Sequence, residues 1–325
     1  MPPSSKPESP SRHGAGGDTT TPRVLFVGGS GKSGSTLLGS LLGRRSGLFN
    51  GGEMNLFWGK WLDPGERCGC GTRLDECPFW SAVVAEVVAA GVEPRRMAEL
   101  AASLDHTRRL GRVLTRRFSG TVSGEWAELA AGTGALYRAA FRHSGASFLV
   151  DLSKIPTHLL LLQELRDVEL RILHLIRDGR AVAYSWERKR RRAKAGGSEG
   201  DGMYRHPSVA ADMGIWLVQN FAIDGLARRV DHSTRLKYES LAAAPQSELS
   251  AALDRIGVVA AEVNEPDGTS DVQDHAVGGN DRVRFAPAGT AITPDEAWRR
   301  ELSPGQIRLW SALALPGLRR FDYRL

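Results

Sequence analysis

Between Arg23 and Gly43 the chain reads RVLFVGGSGKSGSTLLGSLLG, and no other stretch constrains its fold so tightly. Val24, Leu25, Phe26 and Val27 read as a short buried strand. They run into a Gly/Ser-rich loop and then a leucine-rich helix starting near Ser35. Strand, glycine loop and helix N-terminus bring free backbone N–H groups and the positive end of a helix dipole to one point, which makes an anion cradle. The competing reading is a surface Gly/Ser turn without a ligand. A grip on phosphate is therefore expected here.

The register of the loop separates two kinds of phosphate protein. A Walker A loop places its lysine directly after the second glycine of GxxxxGK[ST]. Gly29 and Gly34 have that separation, yet Ser35 stands where the lysine belongs, and Lys32 comes three residues earlier. The order Lys32-Ser33-Gly34-Ser35-Thr36-Leu37 resembles the 5′-phosphosulfate loop of sulfotransferases that use 3′-phosphoadenosine-5′-phosphosulfate (PAPS). The resemblance implies that these six residues hold the cofactor.

Composition permits this without demanding it. The 325 residues are 41% hydrophobic, enough for one large α/β domain or two small ones. A net charge of +6 suits anionic ligands but does not single out nucleic acid. The basic run Glu187–Lys194 has no interleaved aromatics, as a single-strand binder would want, so no nucleic-acid partner is expected. No stretch approaches the roughly 18 apolar residues of a membrane span. Residues 1–22 lack the apolar core of a secretory signal and read as a disordered tail, so a cytoplasmic protein is expected.

Strands and helices alternate after a helical middle. Residues 80–143 read as several amphipathic helices, Ser147–Asp151 as a strand, Ile155–Leu165 as a helix, Leu170–Ile176 as a strand and Arg180–Ala193 as a helix. This pattern predicts an α/β fold with a mostly parallel sheet covered on both faces. No internal repeat divides the chain. One domain over 23–325 is expected, three-layered and P-loop-like, with a helical insertion at about 80–145 over the ligand cleft.

The three cysteines, Cys68, Cys70 and Cys77, fall within ten residues. Tetrahedral zinc usually needs four ligands, and no histidine lies nearby in sequence, so a zinc knuckle would need a distant fourth ligand. A disulfide from Cys77 to Cys68 or Cys70 is sterically open but disfavoured in a reducing cytosol. The expectation is a compact Cys/Gly turn packed on Phe79 and Trp80, with no metal.

A second anion site is suggested at His174–Trp186, HLIRDGRAVAYSW. Arg177 falls at a strand's carboxyl end, where doubly wound sheets bind ligands, and Ser185 follows eight residues later. An arginine fork and a hydroxyl there suit a second phosphate. The competing reading is an Arg177–Asp178 surface pair and a helix-start serine. The pattern resembles the 3′-phosphate site of sulfotransferases, above all tyrosylprotein sulfotransferases and their bacterial relatives. Tyr238, in Thr234–Ser240, matches the tyrosine of the family's strand ending in Tyr-Glu, and His275–Phe285 resembles the Gly-Asn-x-x-Arg segment that closes over the nucleotide, with Asn280 and Arg282 taken as the matching positions although only Asp281 stands between them. PAPS as co-substrate is what the resemblance implies.

Sulfuryl transfer needs a base for the acceptor hydroxyl and cations for the charge that builds on the leaving phosphate. Lys32 is the choice for the leaving phosphate, Lys154 for the sulfuryl oxygens and Glu53 for the base. Glu53 sits in the Gly-Glu context of the tyrosylprotein enzymes, with His158 and His174 as weaker candidates. The acceptor is a hydroxyl of a small metabolite, sugar or lipid. High Ala, Gly and Arg content suggests a GC-rich bacterial source and, by analogy, secondary metabolism. Two alternatives stand: an ATP-dependent kinase with Asp151 as a Walker B ligand for Mg²⁺, and a PAP- or PAPS-binding protein without catalysis.

Overall fold

A computed structural model of the chain describes residues 21–118, 124–194, 207–259, 274–285 and 294–325. The four apolar residues after Arg23 are each fully buried because their strand, β1 (Arg23–Gly29), lies at the centre of the sheet. Four further strands, β2 (Leu48–Gly52), β3 (Phe148–Lys154), β4 (Glu169–Ile176) and β5 (Ser233–Lys237), complete it in the order β2-β3-β1-β4-β5. Every pairing is parallel.

Both faces of the sheet are covered, which is why β1 reads as an unbroken apolar run and not an alternating one. Val24, Phe26, Leu149 and Ile172 face one core, and Leu25, Val27, Val150 and Leu173 face the other. The second face is covered by α1 (Ser35–Leu42), which joins β1 to β2. The first is covered largely by the long β2–β3 connection: α2 (Phe57–Trp61), α3 (Pro78–Ala89), α4 (Pro94–Leu104), α5 (Leu110–Phe118) and α6 (Gly124–Ser144). Of these, α3–α6 overlap residues 80–143, which were expected to be helical.

A short helix, α7 (Pro156–Leu162), joins β3 to β4, and α8 (Gly179–Lys194) and α9 (Val209–Ala227) join β4 to β5. After β5 come α10 (Tyr238–Ala243), α11 (Pro245–Arg255), α12 (Asp281–Arg284), α13 (Ala297–Glu301) and α14 (Pro304–Arg320). A third core joins α8 and α9 to α13 and α14 around Trp216, Trp298 and Trp310. Two boundaries differ from expectation. β2 was not foreseen, because Leu-Phe-Asn-Gly-Gly is poor in strand formers. The strand expected over Thr234–Ser240 ends at Lys237, and Tyr238 opens α10.

Candidate active site

Because all five strands run the same way, the residues that follow them gather along one rim. Lys32 and Ser33 follow β1, Glu53 follows β2, Lys154 ends β3, Arg177 follows β4 and Tyr238 follows β5. β1 is flanked by β3 and β4, so the loop after it occupies the position where open parallel sheets hold ligands.

The loop is built to leave N–H groups open. Gly34 precedes α1 with φ 93°, and no side chain caps the helix. A Cβ on Gly34 would lie 2.5 Å from the Tyr238 ring, so only glycine fits between loop and tyrosine. The hydroxyls of Ser30 and Ser33 are buried without a hydrogen-bond partner among the described residues. Ser35 is buried in the first turn, and Thr36 accepts a hydrogen bond from the Asn280 backbone N–H at 3.3 Å. The Leu37 side chain packs against the core beneath α1. Lys32 adopts φ 65° and holds its ammonium 5.0 Å from the centre of the Trp186 ring. That ring follows the half-buried Ser185 on α8 and so ties the helix of Ser185 to the loop.

Arg177 reaches the loop from the other side. Its guanidinium donates to the Lys32 carbonyl and to the Asp295 carbonyl, both at 3.0 Å, and pairs with the Asp295 carboxylate at 3.2 Å. It lies 4.5 Å over the Tyr238 ring, and its Nε is buried without a partner among the described residues. Burial disfavours the Asp295 carboxylate, but Arg177 outweighs this and holds its pKa below the usual range. The remaining Arg-Asp-Gly-Arg charges serve the fold. Asp178 pairs with Arg180 at 2.7 Å, not with Arg177, and both are buried. Glu239 accepts from the Asp178 N–H at 3.0 Å, and Arg180 also donates to Ser311 and to the Arg324 carbonyl.

Glu53 and Lys154 meet at 2.6 Å. Lys154 stands in register with Gly28 and adopts φ 68°. Lys32 and Lys154 are thus two of three non-glycine residues with positive φ among the described residues, the other being Asp322. Such backbone strain clusters at functional sites. The turn after Glu53 is pinned by Ser153, whose Oγ accepts from the Asn55 N–H at 2.9 Å.

The two histidines considered as bases are enclosed. His158 Nδ1 bonds Asp105 at 2.5 Å, and its Nε2 meets Tyr137 OH at 2.9 Å. Tyr137 also donates to Asp151 at 2.8 Å, so both ring nitrogens of His158 are engaged within one buried network. Burial works against a charged ring, but Asp105 and Asp151 outweigh it and raise the His158 pKa. Asp151 meanwhile engages both oxygens, with Ser153 and with Tyr137. His174 is buried beside Asn220, and burial lowers its pKa to about 4.

The segment 274–285 crosses the rim between β2 and α1. Val277 bridges Gly52: its N–H donates to the Gly51 carbonyl at 3.1 Å, and its carbonyl accepts from the Glu53 N–H at 2.7 Å. Gly52 has φ 75°, and a Cβ there would strike the Val277 backbone at 2.2 Å, so the approach depends on glycine. Arg284 donates to the Gly278 carbonyl at 2.9 Å and folds the segment back on itself. Glu53, Thr36, Asn50, Asp274 and Arg284 line a cleft beneath it. The side chain of Arg282 lies outside the described residues, although its backbone belongs to α12.

Sequence reasoning missed several of these partners. Arg284 and Asp295 carry no local signal, being joined to the site only by the fold, and Glu239 stood in the sequence only as the residue after Tyr238. A histidine distant in sequence does neighbour the cysteines in the fold: His275 lies beside them, 198 residues beyond Cys77.

Comparison with known proteins agrees with this architecture. No curated protein matches the sequence. The sulfotransferase domain of the Synechococcus PCC 7002 olefin synthase superposes with TM-score 0.51 and 22% identity, covering 95% of this chain and 98% of that one. The sulfotransferase domain from the curacin biosynthetic pathway gives 0.50 and 19%, covering 94% and 99%. Sulfotransferase STF9 from Mycobacterium avium gives 0.52 and 13%, covering 94% and 78%. The model described as "Sulfotransferase family" matches residues 22–262, well over half the sequence, and the chain belongs to that family.

Proposed function

We propose that the protein transfers the sulfuryl group of PAPS in line to a hydroxyl of a small-molecule, sugar or lipid acceptor, with Glu53 as base. The observation that carries this reading is the placing of two cationic residues at one loop, Arg177 after β4 bonding the backbone carbonyl of Lys32 after β1 while the Lys32 ammonium lies over Trp186. A 3′,5′-bisphosphate nucleotide needs two separate anion sites, and an ordinary ATP enzyme has no use for the second. The hydroxyls of Ser30 and Ser33 and the Nε of Arg177, which have no hydrogen-bond partner among the described residues, fit such a ligand.

PAPS, when bound, supplies the sulfuryl group on a phosphate leaving group. Lys32, Ser33, Gly34, Ser35, Thr36 and the Leu37 backbone would hold its 5′ end, and Arg177 with Ser185 its 3′-phosphate. Tyr238, Asn280 and Arg282 would enclose the nucleoside. Glu53 takes the acceptor proton on its carboxylate, a role for which Gln would be useless. Lys154 orients that carboxylate through the 2.6 Å pair and brings a positive charge to the rim. His158 is buried with both ring nitrogens engaged by Asp105 and Tyr137, which leaves it no access to an acceptor hydroxyl. The same reading treats 23–325 as one catalytic domain behind the tail 1–22, and no metal takes part in the transfer.

Thermal shift with PAP, ADP and ATP tests the reading directly. Stabilisation by PAP without metal is expected. Stabilisation by ATP with Mg²⁺ and none by PAP would replace it with the kinase reading.

A further inference from the structure

We propose that Cys68, Cys70, Cys77 and His275 bind one zinc ion, which clamps the segment 274–285 onto the turn that carries the cysteines. The four ligand atoms all lie within 4.8 Å of one another. Tetrahedral zinc with bonds of about 2.3 Å to sulfur and about 2.0 Å to nitrogen sets sulfurs about 3.8 Å apart and sulfur from nitrogen about 3.5 Å. Cys70 and Cys77 Sγ are 3.8 Å apart, and His275 Nδ1 is 3.5 Å from Cys68 Sγ and 3.3 Å from Cys77 Sγ. A disulfide needs about 2.05 Å and joins only two of the three sulfurs. The thiols give up their protons to solvent as thiolates, the imidazole binds neutral through Nδ1, and no redox step is involved.

The surroundings hold the ligands as a zinc site requires. Phe79 stacks on the His275 ring at 4.9 Å, and Trp80 Nε1 donates to the His275 carbonyl at 2.7 Å. Thr72 Oγ1 lies 3.1 Å from Cys70 Sγ, and the Gly69 N–H donates to the Ala276 carbonyl at 3.0 Å. The segment has little regular structure of its own. Its one helix is four residues long, and its strand contact is a single bridge at Val277. A metal ligand two residues before that bridge fixes the segment across the rim, where the Asn280 N–H meets Thr36.

The test uses the full chain, purified under reductant without chelator. Native mass spectrometry should find one zinc per chain. Cobalt(II) exchanged into the site should give the tetrahedral thiolate spectrum. His275→Ala and Cys70→Ser should each weaken zinc binding by more than about 100-fold, the upper end of what losing an outer hydrogen-bond support costs a metal site. Hydrogen exchange across 274–285 should quicken when zinc is stripped, while β1 and β4 keep their protection. A wild-type chain that carries no zinc and takes up neither zinc nor cobalt overturns the site, as does a disulfide between any two of these cysteines in the isolated protein. Unchanged exchange over 274–285 after metal loss overturns the clamp. If the variants do not fold, the wild-type stoichiometry and cobalt spectrum still decide. None of these readouts depends on what the rim binds, so this inference and the sulfotransferase reading fail separately.

Discussion

Arg177→Ala separates the two phosphate roles assigned to the rim. The guanidinium has two duties in the structure. It bonds the carbonyls of Lys32 and Asp295 at 3.0 Å each and pairs with Asp295, which serves the fold. Its buried Nε has no partner among the described residues, and the proposed 3′-phosphate would supply one. Loss of the first set should lower stability by about 2–4 kcal/mol, from two hydrogen bonds and a partly buried ion pair. Loosening the Lys32 carbonyl, a bond worth about 1 kcal/mol, should weaken every ligand of the loop by up to about tenfold. Loss of a charge-assisted contact to a 3′-phosphate should cost a further 2–5 kcal/mol or so, at least about 30-fold, and only for ligands that carry that group. Calorimetry with PAP and with adenosine-5′-phosphosulfate, which lacks the 3′-phosphate, measures both effects. The diagnostic quantity is the ratio of the two losses, expected to exceed about 30. A ratio near one, with the melting temperature lowered, would show that Arg177 serves only the fold. Asp295→Asn gives the opposite perturbation: freed from a competing carboxylate, Arg177 should bind PAP more tightly.

Three other outcomes are expected. Glu53→Gln should lower turnover by about 10²–10⁴ while leaving PAP affinity intact, whereas Lys32→Ala should reduce both; wild-type turnover in Glu53→Gln would remove that residue from catalysis. Gly34→Ala forces a side chain into φ 93° and a Cβ to 2.5 Å from Tyr238, so urea denaturation should show a loss of about 2–4 kcal/mol, and an unchanged midpoint would mean the ring moves freely. His174, lowered to about 4 by burial, stays neutral in the folded state while the unfolded chain takes up its proton below about 6.5. The unfolded state therefore binds more protons between these values, and stability should fall by up to about 3 kcal/mol as pH drops from 6.5 to 4. His174→Gln should remove that part of the acid sensitivity, and an identical pH profile for variant and wild type would refute the assignment.

What could be read from the sequence was what lies close together along it. Strand, glycine loop and helix are contiguous over Arg23–Gly43, so apolar run, turn chemistry and helix start all speak in one stretch, and β1 and α1 appear where expected. Arg177 likewise announces itself, since a charged residue ending an apolar strand of a covered parallel sheet has only the rim to occupy. The edge strand β2 was illegible because its residues carry little strand preference, and its place is set by β3 and by Val277, far off in sequence. The second Arg of Arg-Asp-Gly-Arg was illegible in another way: its charge looks like part of the site, yet the chain turns it toward Asp178 and the C-terminal residues.

His275 marks the limit most clearly. Cysteine spacing of Cys-Gly-Cys lies outside the two-to-four-residue gaps of familiar zinc motifs, and the fourth ligand sits 207 residues from the first. No local rule could join them. The joining is done by Gly52 and Val277, which bring the segment to the sheet edge, and by Phe79 and Trp80, which hold the histidine once it arrives. The aromatic pair was expected as the packing of the cysteine turn, and its hold on a distant histidine became visible only in the fold. The same segment continues five residues from His275 to Asn280 beside the glycine loop, so the residues expected to close over a nucleotide are positioned from the cysteine cluster as well as from the sheet edge at Val277.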